Sequence, residues 1–185
     1  KKNIKSFLGK PMISYAIETA RSSGIFDEIF VTTDSEEIAD IAREYGAHVP
    51  KLRARELSDD HTPTVPVIRS TLEIFYTQMN REELVCCIYP CTPLLDASNL
   101  VKAAAILRDP ETINNYALPV VEFPSAPQRA LLVRPDGSVI PEQPEYTQHR
   151  TQDLQPLFYD AGQFYFGSKF CWLTNDDLHV GSHPI

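Results

Sequence analysis

What most constrains this chain is the alternation of strand-like and helix-like segments over its first 110 residues or so. Ile29-Phe30-Val31-Thr32-Thr33 is a β-branched apolar run, the pattern of a strand covered on both faces, and Leu84 to Tyr89 repeats it before Pro90-Cys91-Thr92-Pro93. Helical periods stand on either side. Met12, Ile13, Ala16, Ile17 and Ala20 follow Gly9-Lys10-Pro11 and stop at Ser23-Gly24. Asp34 and Glu37 form a capping-box pattern that opens a helix from Ser35 to Tyr45, closed by Gly46. After a short strand, Ala47-His48-Val49, and a polar loop from Pro50 to Pro63, residues Val67, Ile68, Leu72, Phe75, Tyr76 and Met79 mark another amphipathic helix. A further one is capped near Asp96 or Ser98 and runs through Leu100, Ala104 and Leu107. This alternation predicts an α/β fold, a three-layer doubly wound arrangement with a mostly parallel sheet and ligands beyond the carboxyl ends of the strands. The loops at Thr33-Asp34 and Tyr89 to Pro93 are therefore expected to share one crevice.

From about Tyr116 the pattern changes. Ala117 to Phe123 and Ala130 to Val133 read as strands, the second followed by a Pro135-Asp136-Gly137 turn, and the stretch to Gln155 is rich in Pro and Gln. We expect a single domain over residues 1–185 with a β excursion at about 121–150, then a last strand, Gln163 to Phe166, and a helix around Lys169 to Leu173. A net charge of -8 argues against non-specific nucleic-acid binding, which needs a basic face. No apolar run approaches the roughly 20 residues that span a bilayer, and no signal-peptide pattern opens the chain, so a soluble cytoplasmic protein is expected. Cys86 and Cys87, adjacent on a strand, point to opposite faces and cannot chelate one metal as a pair.

No strand-like run precedes the first helix, and no glycine-rich phosphate loop occurs from Lys1 onward. Either the ligand carries no phosphate or the loop lies upstream of Lys1.

Lys2-Asn3-Ile4, Gly9-Lys10-Pro11-Met12-Ile13, Val31 to Ala39 and Tyr45-Gly46-Ala47 resemble the N-terminal third of the acylneuraminate cytidylyltransferase family. Leu52-Arg53, Glu56 to Thr62, Ile88 to Pro93, Arg150 to Leu154 and Tyr159 to Tyr165 are more similar to the pseudaminic acid branch of that family than to its sialic acid branch. Sialic acid enzymes typically carry Gln-Pro-Thr-Ser-Pro in place of Tyr89 to Pro93, and Asn-Gly where Asp160-Ala161-Gly162 stands. The resemblance implies the nucleotide-diphospho-sugar transferase type of fold. It also implies attack by the anomeric hydroxyl of a nonulosonic acid on the α-phosphate of CTP, with magnesium, in a homodimer whose excursion reaches across to the partner. In the family a strand and an Arg-Gly-Gly-Ser-Lys type loop precede the lysine-asparagine pair, and the metal-binding aspartates would follow Ile185, so no metal ligand is expected within residues 1–185.

On this footing the expected nucleotide-binding residues are Asn3, Arg53, Asp60, Thr62, Tyr89, Cys91 and Thr92, and the expected sugar-binding residues are Arg150, Gln152, Asp153, Asp160 and Gln163. The catalytic group is left unassigned. Asn3 can donate and accept through one amide, and Arg53 offers a guanidinium fork. Arg150 matches a sugar carboxylate, while Asp160 and Gln163 flank Gly162, where a ligand could approach the backbone. Each has a structural alternative: a solvated terminal residue, a surface arginine, a turn, a charged loop. Asp59, Asp60 and His61 are too close in sequence to converge on a metal and suit loop shaping better. His179 and His183 are read as non-ligands. Two other functions stay open: a cytidylyltransferase for sialic, legionaminic or an eight-carbon ulosonic acid, and a non-catalytic nucleotide-binding or interaction module.

Overall fold

The computed structural model describes residues 2–59, 61–76 and 78–185 and divides into two compact units. The first comprises Lys1–Pro119 with Gly162–Ile185, and the second Val120–Ala161.

The first unit opens with a 3-10 turn, Lys2–Ile4, and a small antiparallel pair, β1 (Ser6–Phe7) and β2 (Lys10–Pro11). Helix α1 (Met12–Ser23) buries Ile13, Ala16, Ile17 and Ala20 and ends where Gly24 turns left-handed at φ 67°. Helix α2 (Glu36–Glu44) buries Ala39 and Ala42, which pack with Ile13 and Ile17 of α1 and with Ala47 and Val49. Helix α3 (Thr64–Phe75) leads to strand β3 (Leu84–Ile88), and helix α4 (Ala97–Ile106) starts at Asp96, whose side chain accepts from the Ser98 amide at 2.8 Å. Strand β4 (Tyr116–Leu118) closes this half of the unit.

The second unit holds β5 (Val120–Glu122), β6 (Leu131–Val133), β7 (Val139–Pro141) and β8 (Phe158–Asp160). There β5 pairs antiparallel with β8, and β6 with β7 across the Asp136-Gly137 turn. Back in the first unit, β9 (Phe164–Ser168), α5 (Lys169–Thr174) and β10 (His183–Pro184) complete the sheet in the order β10-β4-β9-β3. β10 runs parallel to β4, while β9 lies antiparallel to both of its neighbours, so β3, β4 and β10 share one direction and the sheet is mixed. Leu95, Leu100, Ala103, Ala104 and Leu107 cover it, packed on Ala117, Phe164 and Phe166. Under the other face, the buried Lys169 ammonium donates to the carbonyls of Tyr76 at 2.7 Å and Met79 at 2.9 Å, tying α5 to the segment that follows α3. Among the described residues no helix is long and apolar enough to cross a membrane.

Several expectations need correction. Ile29 to Thr33 and Ala47 to Val49 form one parallel bridge, Phe30 to His48, and neither run is a strand of a sheet among the described residues. Ala117 to Phe123 is two strands, β4 and β5, divided at Pro119, which has no amide hydrogen for a ladder. The Asp34–Glu37 capping box does not form: Ser35 occupies the cap position, and its amide donates to Thr33 Oγ1 at 3.2 Å. Leu84 to Ile88 is half-buried throughout, since β3 is an edge of the sheet.

Candidate functional site

That open edge of β3 is one wall of a cleft of about 1220 Å³ within the first unit. The facing wall is Ile29 to Asp34, with Ile13, Ala16 and Ile17 of α1 and Ile68, Leu72 and Phe75 of α3 also lining the space. Backbone pleating decides what each wall offers. The Ile29 carbonyl and Val31 amide bond His48, and the Tyr89 amide bonds the Gln163 carbonyl, so the alternate residues Phe30, Thr32, Cys86 and Ile88 turn their peptide groups toward the cleft. Its middle is apolar and polar groups stand at both ends, with Asp27, Glu28, Glu82 and Glu83 at the amino ends of the two runs and a second set at their carboxyl ends. There Asn3, Thr33, Asp34, Arg53, Asp59, Thr62, Thr64 and Tyr89 line one mouth, as the expected shared crevice requires.

Arg53 is held on both sides of its side chain. Its amide donates to the Thr33 carbonyl at 2.7 Å, and its Nε donates to Ser58 Oγ at 3.1 Å. The two terminal amino groups of its guanidinium have no hydrogen bond to another described residue, and the side chain lines the cleft. A cation fixed through Nε with its fork unfilled is suited to a phosphate or carboxylate.

Asp59 shapes the neighbouring loop. Its Oδ1 accepts from the His61 amide at 3.0 Å and from the amide and hydroxyl of Thr62 at 2.6 Å each, and these donors lower its pKa below the ordinary carboxylate value. Thr62 thus reaches the mouth with its hydroxyl already donating to Asp59. Asp60, the adjacent candidate, lies outside the described residues.

The Tyr89 hydroxyl and Thr64 Oγ1 share a hydrogen bond of 2.7 Å, and the Tyr89 ring meets Tyr165 edge-on at 5.6 Å. Thr92 is buried and donates to the Tyr89 carbonyl at 2.8 Å, so its hydroxyl braces the turn. Cys91 donates from Sγ to Asn3 Oδ1 at 3.3 Å. Thr64 and Ser58, which position Tyr89 and Arg53, were missed by sequence reasoning. The Thr64–Tyr89 bond spans 25 positions, and no periodicity links residues across that interval.

Cys86 packs beside Leu84 and Ile88 on the core side of β3, as strand alternation requires. Each of the two cysteines is half-buried as a residue at an open edge, yet each thiol is enclosed by side chains. Burial pushes Cys87 up to about 12 and Cys86 well above its usual value. Both should remain protonated at pH 8. Labelling by iodoacetamide, followed by peptide mass spectrometry, is expected to be more than about tenfold slower at these thiols than at a free cysteine. For Cys87 the rate should keep rising with pH toward about 12 instead of levelling near 9.

The second unit holds the remaining candidates except Gln163. Arg150 precedes a 3-10 turn, Thr151–Asp153, and its guanidinium grips the Asp153 carboxylate through Nε at 2.9 Å and Nη2 at 3.2 Å. The fork expected to hold a sugar carboxylate therefore already holds a carboxylate of this chain. Gln152 is exposed in the same turn, and Asp160 ends β8 opposite Val120. In the first unit, Gln163 offers its backbone carbonyl to Tyr89, and His183 bonds Asn115 at 3.2 Å. Among the described residues no group of three or more His, Cys, Asp or Glu side chains is arranged to hold a metal ion.

Comparison with known proteins gives a consistent picture. The family described as cytidylyltransferase matches residues 1–167. A pseudaminic acid cytidylyltransferase of Campylobacter jejuni is 39% identical over 176 residues, covering 95% of this chain and 75% of the relative. A Helicobacter pylori protein named pseudaminic acid cytidylyltransferase and UDP-2,4-diacetamido-2,4,6-trideoxy-beta-L-altropyranose hydrolase is 33% identical over 166 residues, 90% of this chain and 31% of its own. In solved structures, CMP:2-keto-3-deoxy-manno-octonic acid synthetase complexed with CTP shares the fold with a TM-score of 0.66 at 14% identity, covering 92% of this chain and 68% of that one.

Proposed function

The chain belongs to the cytidylyltransferase family, and from that premise we propose that it transfers CMP from CTP to the anomeric hydroxyl of a nonulosonic acid, pseudaminic acid in particular. The sugar oxygen bonds to the α-phosphorus, the bond from that phosphorus to the pyrophosphate oxygen breaks, and the hydroxyl proton leaves to solvent or a base. Such a transfer rests on alignment and charge neutralisation. The observation that carries the reading is the Arg53 fork, fixed through Nε and lining the same cleft as Asn3 at the carboxyl ends of Ile29 to Thr33 and Leu84 to Ile88. It supplies positive charge where an α/β sheet gathers its ligands.

Magnesium is proposed as the counter-ion of the triphosphate. The described residues do not form a set that fits it, so no ligand is assigned and no step is derived through it. Within the second unit, the Arg150 fork suits the carboxylate of an acid sugar, having the geometry that now receives Asp153. The apolar middle of the cleft, with peptide groups turned inward from both walls, fits an extended strand bonded on each side. Because its proposed co-substrate CTP is held in the cytoplasm, the reaction is assigned there.

A homodimer is part of the same proposal. Leu131, Leu132, Val133 and Val139 of the second unit are all at least half-exposed, an apolar hairpin that a second copy would cover. Light scattering should give twice the chain mass, and Leu132→Glu with Val133→Glu should shift it to the monomer. A monomeric parent removes this part.

The deciding assay is pyrophosphate release from CTP and magnesium with pseudaminic acid, compared with sialic and legionaminic acids. Turnover is expected with pseudaminic acid. Turnover with another sugar alone overturns the substrate assignment, and none with any sugar overturns the activity.

A further inference from the structure

Asn3 stands half-buried in the Lys2–Ile4 turn and lines the mouth of the cleft. Its amide has an acceptor oxygen and a donor nitrogen of similar size, so two orientations related by a half-turn compete, and only one offers the amino group to a ligand. One contact engages the oxygen. Cys91 Sγ donates to Asn3 Oδ1 at 3.3 Å, from a residue 88 positions away.

The thiol is itself located by its loop. Thr92 Oγ1 donates to the Tyr89 carbonyl at 2.8 Å, which closes a turn around Cys91, and the Leu95 amide donates to the Thr92 carbonyl at 3.1 Å in the turn that follows. With Oδ1 engaged by the thiol, the amino group, which has no hydrogen bond to another described residue, is the part of Asn3 left to meet an acceptor in the cleft. We propose that Cys91 is a positioning residue that sets the Asn3 amide as a donor toward an acceptor oxygen of the bound nucleotide. The proposal rests on the cytidylyltransferase reading for its ligand, but the contact itself does not. A thiol is a weak donor, so a hydroxyl at the same position should hold the amide as well, whereas a methyl group cannot.

The test compares Cys91→Ser and Cys91→Ala in the full chain. First, the side-chain amide resonances of Asn3 are recorded without nucleotide. In the parent and Cys91→Ser they should stay shifted from those of a solvated asparagine, and in Cys91→Ala they should move to the solvated position. Second, pyrophosphate release is measured against CTP. Cys91→Ala should raise KM for CTP by about 3- to 10-fold, the loss of one modest hydrogen bond, with kcat changed by less than about twofold. Cys91→Ser should restore KM to within about twofold of the parent, and Tm should be alike in all three.

An alanine variant with parental resonances and KM overturns the proposal, as does a serine variant impaired as much as alanine. A parent that releases no pyrophosphate overturns the cytidylyltransferase reading instead. The Asn3 resonances then still decide whether Cys91 orients the amide.

Discussion

Replacing Arg53 with alanine is expected to lower kcat/KM for CTP by about 10- to 100-fold, the range for losing a hydrogen bond made by a charged group. Arg53 is anchored by its amide to the Thr33 carbonyl and by Nε to Ser58, while the end of its guanidinium lines the cleft without a described partner. Since its anchoring is already complete, little order remains to be imposed when an anion arrives. Arg53→Lys should recover only part of the loss, because an ammonium keeps the charge but can neither bond Ser58 through Nε nor grip two oxygens with a planar fork. Ser58→Ala should give a smaller loss than Arg53→Ala. Steady-state kinetics at varied CTP, with Tm as a folding control, checks this. Unchanged kcat/KM in Arg53→Ala would remove the residue from the site.

The largest stability effect is expected at Gly167. An ideal Cβ there would lie 2.7 Å from Tyr116 Cδ1 and 2.9 Å from Cε1. The ring has nowhere to go. It meets Trp172 edge-on at 4.9 Å, and its hydroxyl donates to the Asn175 carbonyl at 3.0 Å. Trp172 is fixed in turn by a bond from Nε1 to the Val85 carbonyl at 3.1 Å. Gly167→Ala must therefore displace an aromatic pair shared by β3, β4, β9 and α5, an overpacking cost of about 1–3 kcal/mol. For a chain of this size that corresponds to a fall in Tm of roughly 2–12 °C. Differential scanning calorimetry reads it directly, and an unchanged Tm would show that the ring pair can yield.

Much of the site was legible in the sequence because it follows from local rules. Helix α1 and its stop at Gly24 come from a spacing of apolar residues and one left-handed position, and the Asp96 cap from a side chain reaching an amide two residues on. The convergence of the Thr33-Asp34 loop with Tyr89 followed from strand alternation. The loop-shaping role of Asp59 was visible too, as its partners are His61 and Thr62. Roles that depend on distant partners were less accessible. Arg150 was recognised as a carboxylate fork, but its bond to Asp153 is a choice of rotamer that composition does not reveal.

By itself, then, the sequence determined which segments are helices and which loops carry polar chemistry, because 3.6-residue and two-residue periods depend on near neighbours, while the Asp34–Glu37 box and the extension of α3 to Met79 were not realised. Only the tertiary structure decided that β9 enters antiparallel between β3 and β4, that Gly167 leaves room for Tyr116, and that Lys169 is buried against the carbonyls of Tyr76 and Met79. It also decided that Cys91 faces Asn3. These contacts join residues separated by up to about 90 positions, and they form because closing the core fixes which distant surfaces meet.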